Sequence, residues 1–165
     1  MRRFLLLTWA AMAVAAQAGG FPFEAFRATT IKQLLIDESE HTVRDQYSTP
    51  GSRLFHPPER IRLVATFTGE HRPLAATSAK FIALYGASRP GNEAWATQFT
   101  EEWRFEAEGK TWWLPVENQV AAFFPKELRP GDKVELYAVF TGFQWLEKGY
   151  DVMLLVEEFQ TINRG

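Results

Sequence analysis

Between Ile61 and Thr68 the chain alternates, with Ile61, Leu63, Ala65 and Phe67 interleaved with Arg62, Val64, Thr66 and Thr68. That period of two predicts a half-buried strand, stopped by Gly69. Val134, Leu136, Ala138 and Phe140 repeat the pattern against Glu135, Tyr137, Val139 and Thr141 and predict another. The run DVMLLVEEF, residues 151–159, is apolar on both faces for most of its length, which predicts a strand covered on both sides or set in a closing barrel. Helical spacing appears elsewhere. Ile31, Leu34 and Leu35 behind a Thr30/Gln33 capping box predict a helix over 31–41, and Phe81, Leu84 and Tyr85 ahead of Gly86 predict one over 77–86, capped by Thr77 or Ser78. Asn92 is placed to cap a short helix carrying Trp95 and Phe99.

The segment EEWRFEAEGKTWWLPV reads as a β-hairpin turning at Glu108-Gly109. A two-residue turn pairs Ala107 with Lys110, Phe105 with Trp112, Arg104 with Trp113 and Trp103 with Leu114. Successive side chains of a strand point to opposite faces. Trp103, Phe105, Trp112, Leu114 and Val116 therefore share the core face, and Arg104 and Trp113 the other, the guanidinium set across from the indole. Beyond Pro115, the run VENQVAAFFPKEL predicts a short helix with Val120, Phe123 and Phe124 as its apolar face and Pro125 either near its end or opening a second single turn over Lys126 to Leu128. Tyr47 to Pro58, with three prolines and a glycine, reads as an extended connection without regular structure.

The element order is thus strand, helical insertion, two strands, short helix, two strands. This is a mainly β chain with α insertions, an α+β class, and over residues 61–160 its order resembles the OB-fold, a small five-stranded Greek-key barrel. The expected organisation is a signal peptide over 1–18, an N-terminal extension over 19–60 with one short helix and a Pro-rich connection, and the OB-like domain over 61–165. The resemblance implies that the barrel face and its loops bind oligosaccharides, peptides or proteins.

The first residues, MRRFLLLTWAAMAVAAQAGG, place two arginines before an apolar run and then Ala16-Gln17-Ala18, the layout of a cleavable secretory signal. The run is shorter than the roughly 20 residues a spanning helix needs. The expectation is a periplasmic or secreted protein, cleaved near Ala18, without stable membrane insertion. Cleavage removes Arg2 and Arg3, so 16 Lys and Arg remain against 20 Asp and Glu, a net charge of −4. That balance argues against nucleic acid as a partner. There is no cysteine, which excludes thiol catalysis, disulfides and thiolate-held metals.

Candidate chemistry is sparse. Asp37 and His41 lie four apart on the predicted 31–41 helix, a spacing that fits a surface charge pair better than a metal site lacking further ligands. Gly86-Ala87-Ser88-Arg89-Pro90 lacks the last glycine of a nucleophile elbow and follows a helix rather than a strand. The pairs Glu101-Glu102 and Glu157-Glu158 read as solvated charges beside apolar strands. No catalytic residue, metal site or cofactor is expected. What remains is a non-catalytic binding module for a glycan or protein ligand, with Trp113, Arg104, Phe143, Trp145 and Tyr150 as an exposed aromatic platform, the last three in the loop before the final strand. The structural alternative has Trp145 folded over the barrel end. Two other functions stay open: a cell-wall hydrolase using carboxylates such as Glu101 or Glu117, and a structural subunit of an envelope assembly docking through the 31–41 helix.

Overall fold

The computed structural model describes residues 20–41, 49–89, 94–147 and 149–162, with the side chains of 37–41 excepted. The signal segment, the Asp37/His41 side chains and the Asn92 cap lie outside the described residues. Among the described residues six strands form one mixed sheet: β1 (Arg27–Ala28), β2 (Arg53–Pro73), β3 (Phe99–Ala107), β4 (Lys110–Glu117), β5 (Lys133–Trp145) and β6 (Tyr150–Thr161). The order is β1-β2-β3-β4-β6-β5, and β5 also pairs with β2, so the pairings return to where they began. β1–β2 and β4–β6 are parallel and the other pairs antiparallel. Among the described residues four α-helices accompany them: α1 (Ile31–His41), α2 (Ala76–Ala87), α3 (Asn118–Ala121) and α4 (Phe124–Glu127).

The β3–β4 hairpin has the register that alternation predicts from Ala107/Lys110 through Trp103/Leu114. Its turn works because Glu108 and Gly109 both take positive φ, 54° and 73°, the backbone a two-residue primed turn demands. Trp103, Phe105, Leu114 and Val116 fall in the main core, and Trp112 packs against it half-buried.

We call this core side the inner face. Ile61, Leu63, Ala65 and Phe67 of β2, Val134, Leu136, Ala138 and Phe140 of β5, and Val152, Leu154 and Val156 of β6 all contribute to it. Phe124 sits at its centre, fully buried, its ring edge-on to Trp103 and Phe159 at 5.0 Å. Neighbouring Phe123 is 48% exposed. The predicted helix is split there, since Pro125 opens a second turn at its N-terminus. Ile31 and Leu34 of α1 also enter the core. Thr30 Oγ1 caps α1, accepting from Gln33 N at 3.0 Å.

Several predicted boundaries move: β2 runs through Gly69 to Pro73, and α2 starts at Ala76 behind Ala75 with no side-chain cap, so Thr77 and Ser78 lie inside its first turn. β2 begins at Arg53, eight residues earlier than alternation suggests, because a bulge between Phe55 and Glu59 accommodates Pro57 and Pro58 in a strand. Trp95–Gln98 is a single 3-10 turn, and Phe99 already belongs to β3. β5 runs through Trp145, so most of the predicted loop is strand. Gly142 marks the reason: with φ 136° it lies against β2, where a Cβ would fall 1.9 Å from the Leu54 carbonyl oxygen.

The outer face is covered piecemeal. α2 and the 3-10 turn lay Phe81, Ile82, Tyr85 and Trp95 over Phe99, Met153 and Leu155. The N-terminal segment wraps Phe21, Phe23 and Phe26 around the Tyr137 ring at centroid distances of 4.8–5.8 Å.

Candidate functional site

The outer face of β2, β3 and β4 carries the most organised polar surface. Arg72, Glu102 and Pro115 lie across three strands in register, as do Arg104 and Trp113 one step along. The Arg72 guanidinium leans over the Trp113 ring, 4.3 Å from its centroid. It also grips Glu102, Nε to Oε2 at 2.8 Å and Nη2 to the same oxygen at 2.8 Å. Glu102 is 1% exposed. The acidic pair is therefore not simply solvated. Glu101 turns instead to His71, with Nδ1 to Oε2 at 3.1 Å, and the imidazole stacks on Trp103 at 4.5 Å.

A buried carboxylate is tolerated when paired and hydrogen-bonded, and the Arg72 fork supplies that pairing. Arg104, the sequence candidate for the indole, binds Glu70 instead, Nη1 to Oε2 at 2.7 Å. Arg104 lies directly across from Trp113 in the register, and Arg72 approaches the ring diagonally from β2.

Asp151 of β6 borders the same strip. Burial, then the Glu102 charge, push its carboxyl above the ordinary value, opposed by a hydrogen bond to Gln144 and by Arg72. Gln144 is buried and donates Nε2 to Met153 Sδ at 3.5 Å.

The other platform residues divide away from Trp113. Phe143 is buried in the main core. Tyr150, 40% exposed, sets its ring edge-on to Phe143 at 6.2 Å. Trp145 pairs with Tyr150 across the β5–β6 turn and packs half-buried on the core. These three close the end of the inner face, and Trp113 with Arg104 lies outside.

Two open cavities also lie on the outer face. One of about 450 Å³ brings together Glu117, Glu157 and Glu158 beside Phe21 and Phe123. Burial, then the Glu117 charge, raise the Glu157 carboxyl, with Arg60 opposing. The other holds about 550 Å³ between the N-terminal segment, β2, α2 and the Trp95 turn. Neither was visible in the sequence, because the residues come together from segments dozens of positions apart. The only signal was Glu157-Glu158 interrupting an apolar strand.

No known family model matches the chain, and no curated protein does. Among the described residues no group of three His, Cys, Asp or Glu is placed to hold a metal ion. No described helix is long and apolar enough to cross a membrane.

Proposed function

We propose that the chain is a non-catalytic binding module on an OB-like five-stranded barrel, made of β2 to β6 and working in the periplasm or outside the cell. Its ligand is a glycan or peptide laid along the Trp113 strip. The barrel reading is supported by the pairing circuit β2-β3-β4-β6-β5-β2, by the parallel β4–β6 contact and by α3 and α4 standing between β4 and β5.

The observation that carries the ligand reading is the charge balance around Trp113. Its two neighbouring arginines are already neutralised, Arg72 by Glu102 and Arg104 by Glu70. What the strip then offers is a half-buried indole beside hydrogen-bonding groups with little unpaired charge. A flat, uncharged ligand gains contact area and hydrogen bonds along the part of the indole that Arg72 does not cover, without displacing an ion pair.

Acrylamide quenching of tryptophan fluorescence tests this with wild type, Trp113→Phe and Trp145→Phe in the presence of glycans and peptidoglycan fragments. The reading expects an accessible component that Trp113→Phe removes and that one ligand class protects. Equal quenching in wild type and Trp113→Phe, with no ligand effect, would discard it.

A second reading, a carboxylate-dependent hydrolase, is favoured by Glu117 and Glu157 lining one cavity, with the Glu157 carboxyl raised by burial and then by the Glu117 charge. Glycoside hydrolysis needs such an acid beside a carboxylate. Measurable cleavage of peptidoglycan, lost in both Glu117→Gln and Glu157→Gln, would establish it over the binding module. The docking-subunit alternative draws less support, since Ile31 and Leu34 of α1 are spent in the core.

A further inference from the structure

The larger outer cavity is built differently from the Trp113 strip. Tyr85 of α2 and Trp95 form an aromatic wall, their rings 5.8 Å apart and tilted by 46°. Arg27, Arg60 and Arg89 also line the space, with Glu59 and Glu157 as its acids. Arg27 is satisfied within the fold, its Nε donating to Glu59 Oε1 at 2.8 Å.

Arg60 and Arg89 make no such ion pair, although Arg60 is near enough to Glu157 to act on its carboxyl. Among the described residues neither comes within ion-pair distance of a carboxylate. Arg60 lies 5.9 Å over the Phe26 ring. Arg89 rests on Tyr85, 4.6 Å from the ring centroid. Its Nη2 donates to the His56 carbonyl oxygen at a long 3.4 Å, its side chain also hydrogen-bonds the Tyr85 hydroxyl, and its Nε is buried with no hydrogen-bond partner, so its contacts are with neutral groups. Three guanidiniums face two carboxylates, so the cavity carries an excess of one positive charge beside apolar rings.

We propose that this cavity binds a small organic carboxylate with a flat apolar body, the ring system against Tyr85 and Trp95 and the carboxylate on Arg60 and Arg89. The volume of about 550 Å³ lies within the roughly 300–1,000 Å³ typical of small-molecule sites. A single negative charge matches the excess. A multiply charged phosphate would meet Glu59 and Glu157 at the same mouth, whereas a monocarboxylate is matched by the planar donor fork of arginine.

The test is calorimetric titration of the purified protein with 2-naphthoate, with 2-naphthalenemethanol as the uncharged counterpart and inorganic phosphate as the anion without an apolar body. Saturable naphthoate binding is expected below about 1 mM, with the alcohol and phosphate each at least about 10-fold weaker. Arg89→Gln and Arg60→Gln should each weaken naphthoate about 10-fold or more, as loss of a charge-assisted hydrogen bond does. Thermal unfolding confirms that each variant is folded, and exposed Arg60 carries the test if Arg89→Gln is not.

Equal affinity for naphthoate and the alcohol, unchanged affinity in the folded arginine variants, or no saturation by about 5 mM would each overturn the proposal. Trp113→Phe should leave naphthoate affinity unchanged, so the two sites stand or fall separately.

Discussion

Arg72 and Arg89 each lay a guanidinium on an aromatic ring, 4.3 Å from the Trp113 centroid and 4.6 Å from that of Tyr85. They differ in what holds the other edge of the cation. Arg72 is gripped by a buried carboxylate, whereas Arg89 meets neutral oxygens, the His56 carbonyl and the Tyr85 hydroxyl, and keeps a buried Nε without a partner. The same stacking motif therefore serves two ends. Around Trp113 the charges are already matched and the surface suits an uncharged partner. Around Tyr85 the cation is left over, and the cavity suits an anion.

The sharpest way to break this contrast is Arg72→Leu, which strands Glu102 in the interior. Removing one partner of a fully buried pair costs 3 to 5 kcal/mol, and the 44% exposure of the Arg72 side chain lowers the expectation to about 2 kcal/mol in urea unfolding. Adding Glu102→Leu should restore most of that loss, because no orphaned charge remains. If the double variant is as unstable as the single, the carboxylate is not the cause.

Arg89→Gln in the same unfolding measurement should cost at most about 1 kcal/mol, the stacking contribution alone. A loss equal to that of Arg72→Leu would erase the distinction between the two cations.

The smallest effect concerns Asp151. Its carboxyl is raised above 3.8 in the folded chain, by burial first and Glu102 second. The folded state thus keeps a proton that the unfolded chain has already released. The associated stability is fully present below the unfolded pKa and is lost as pH rises through the folded one. Asp151→Asn should therefore be more stable than wild type at neutral pH, the gap closing as pH falls to the ordinary aspartate range. A gap that widens on acidification would mean that Asp151 is held charged.

How much of this was legible in the chain follows from the range of each interaction. The hairpin register could be read because a two-residue turn fixes every partner from Ala107/Lys110 onward, and the alternation around it is unbroken. The pattern predicts a loop at Phe143, next to Gly142. The glycine is instead required where Leu54 crosses, a contact between residues 88 positions apart. Arg72 reaches Trp113 because β2 slips register between Phe67 and His71, and no local pattern announces a bulge. Glu102 looked like its neighbour Glu101 until strand pairing put one under an arginine and the other beside a histidine. The cavity of Tyr85 and Arg89 lay further beyond reach, drawing on β1, β2, α2 and β6 together.

Strand β2 is paired along both edges, to β3 on one side and to β5 on the other, where Arg62 meets Tyr137 across 75 positions of chain. Local hairpins close in about 1–10 μs, so β3–β4 and β5–β6 can form early. Seating β2 against β5 must await the entropic cost of bringing distant segments together, which places such topologies in the range of roughly milliseconds to seconds. The β2–β5 seam is therefore expected to close after both hairpins and to limit the rate of folding. A substitution there that slows refolding without altering either hairpin would report when that seam closes.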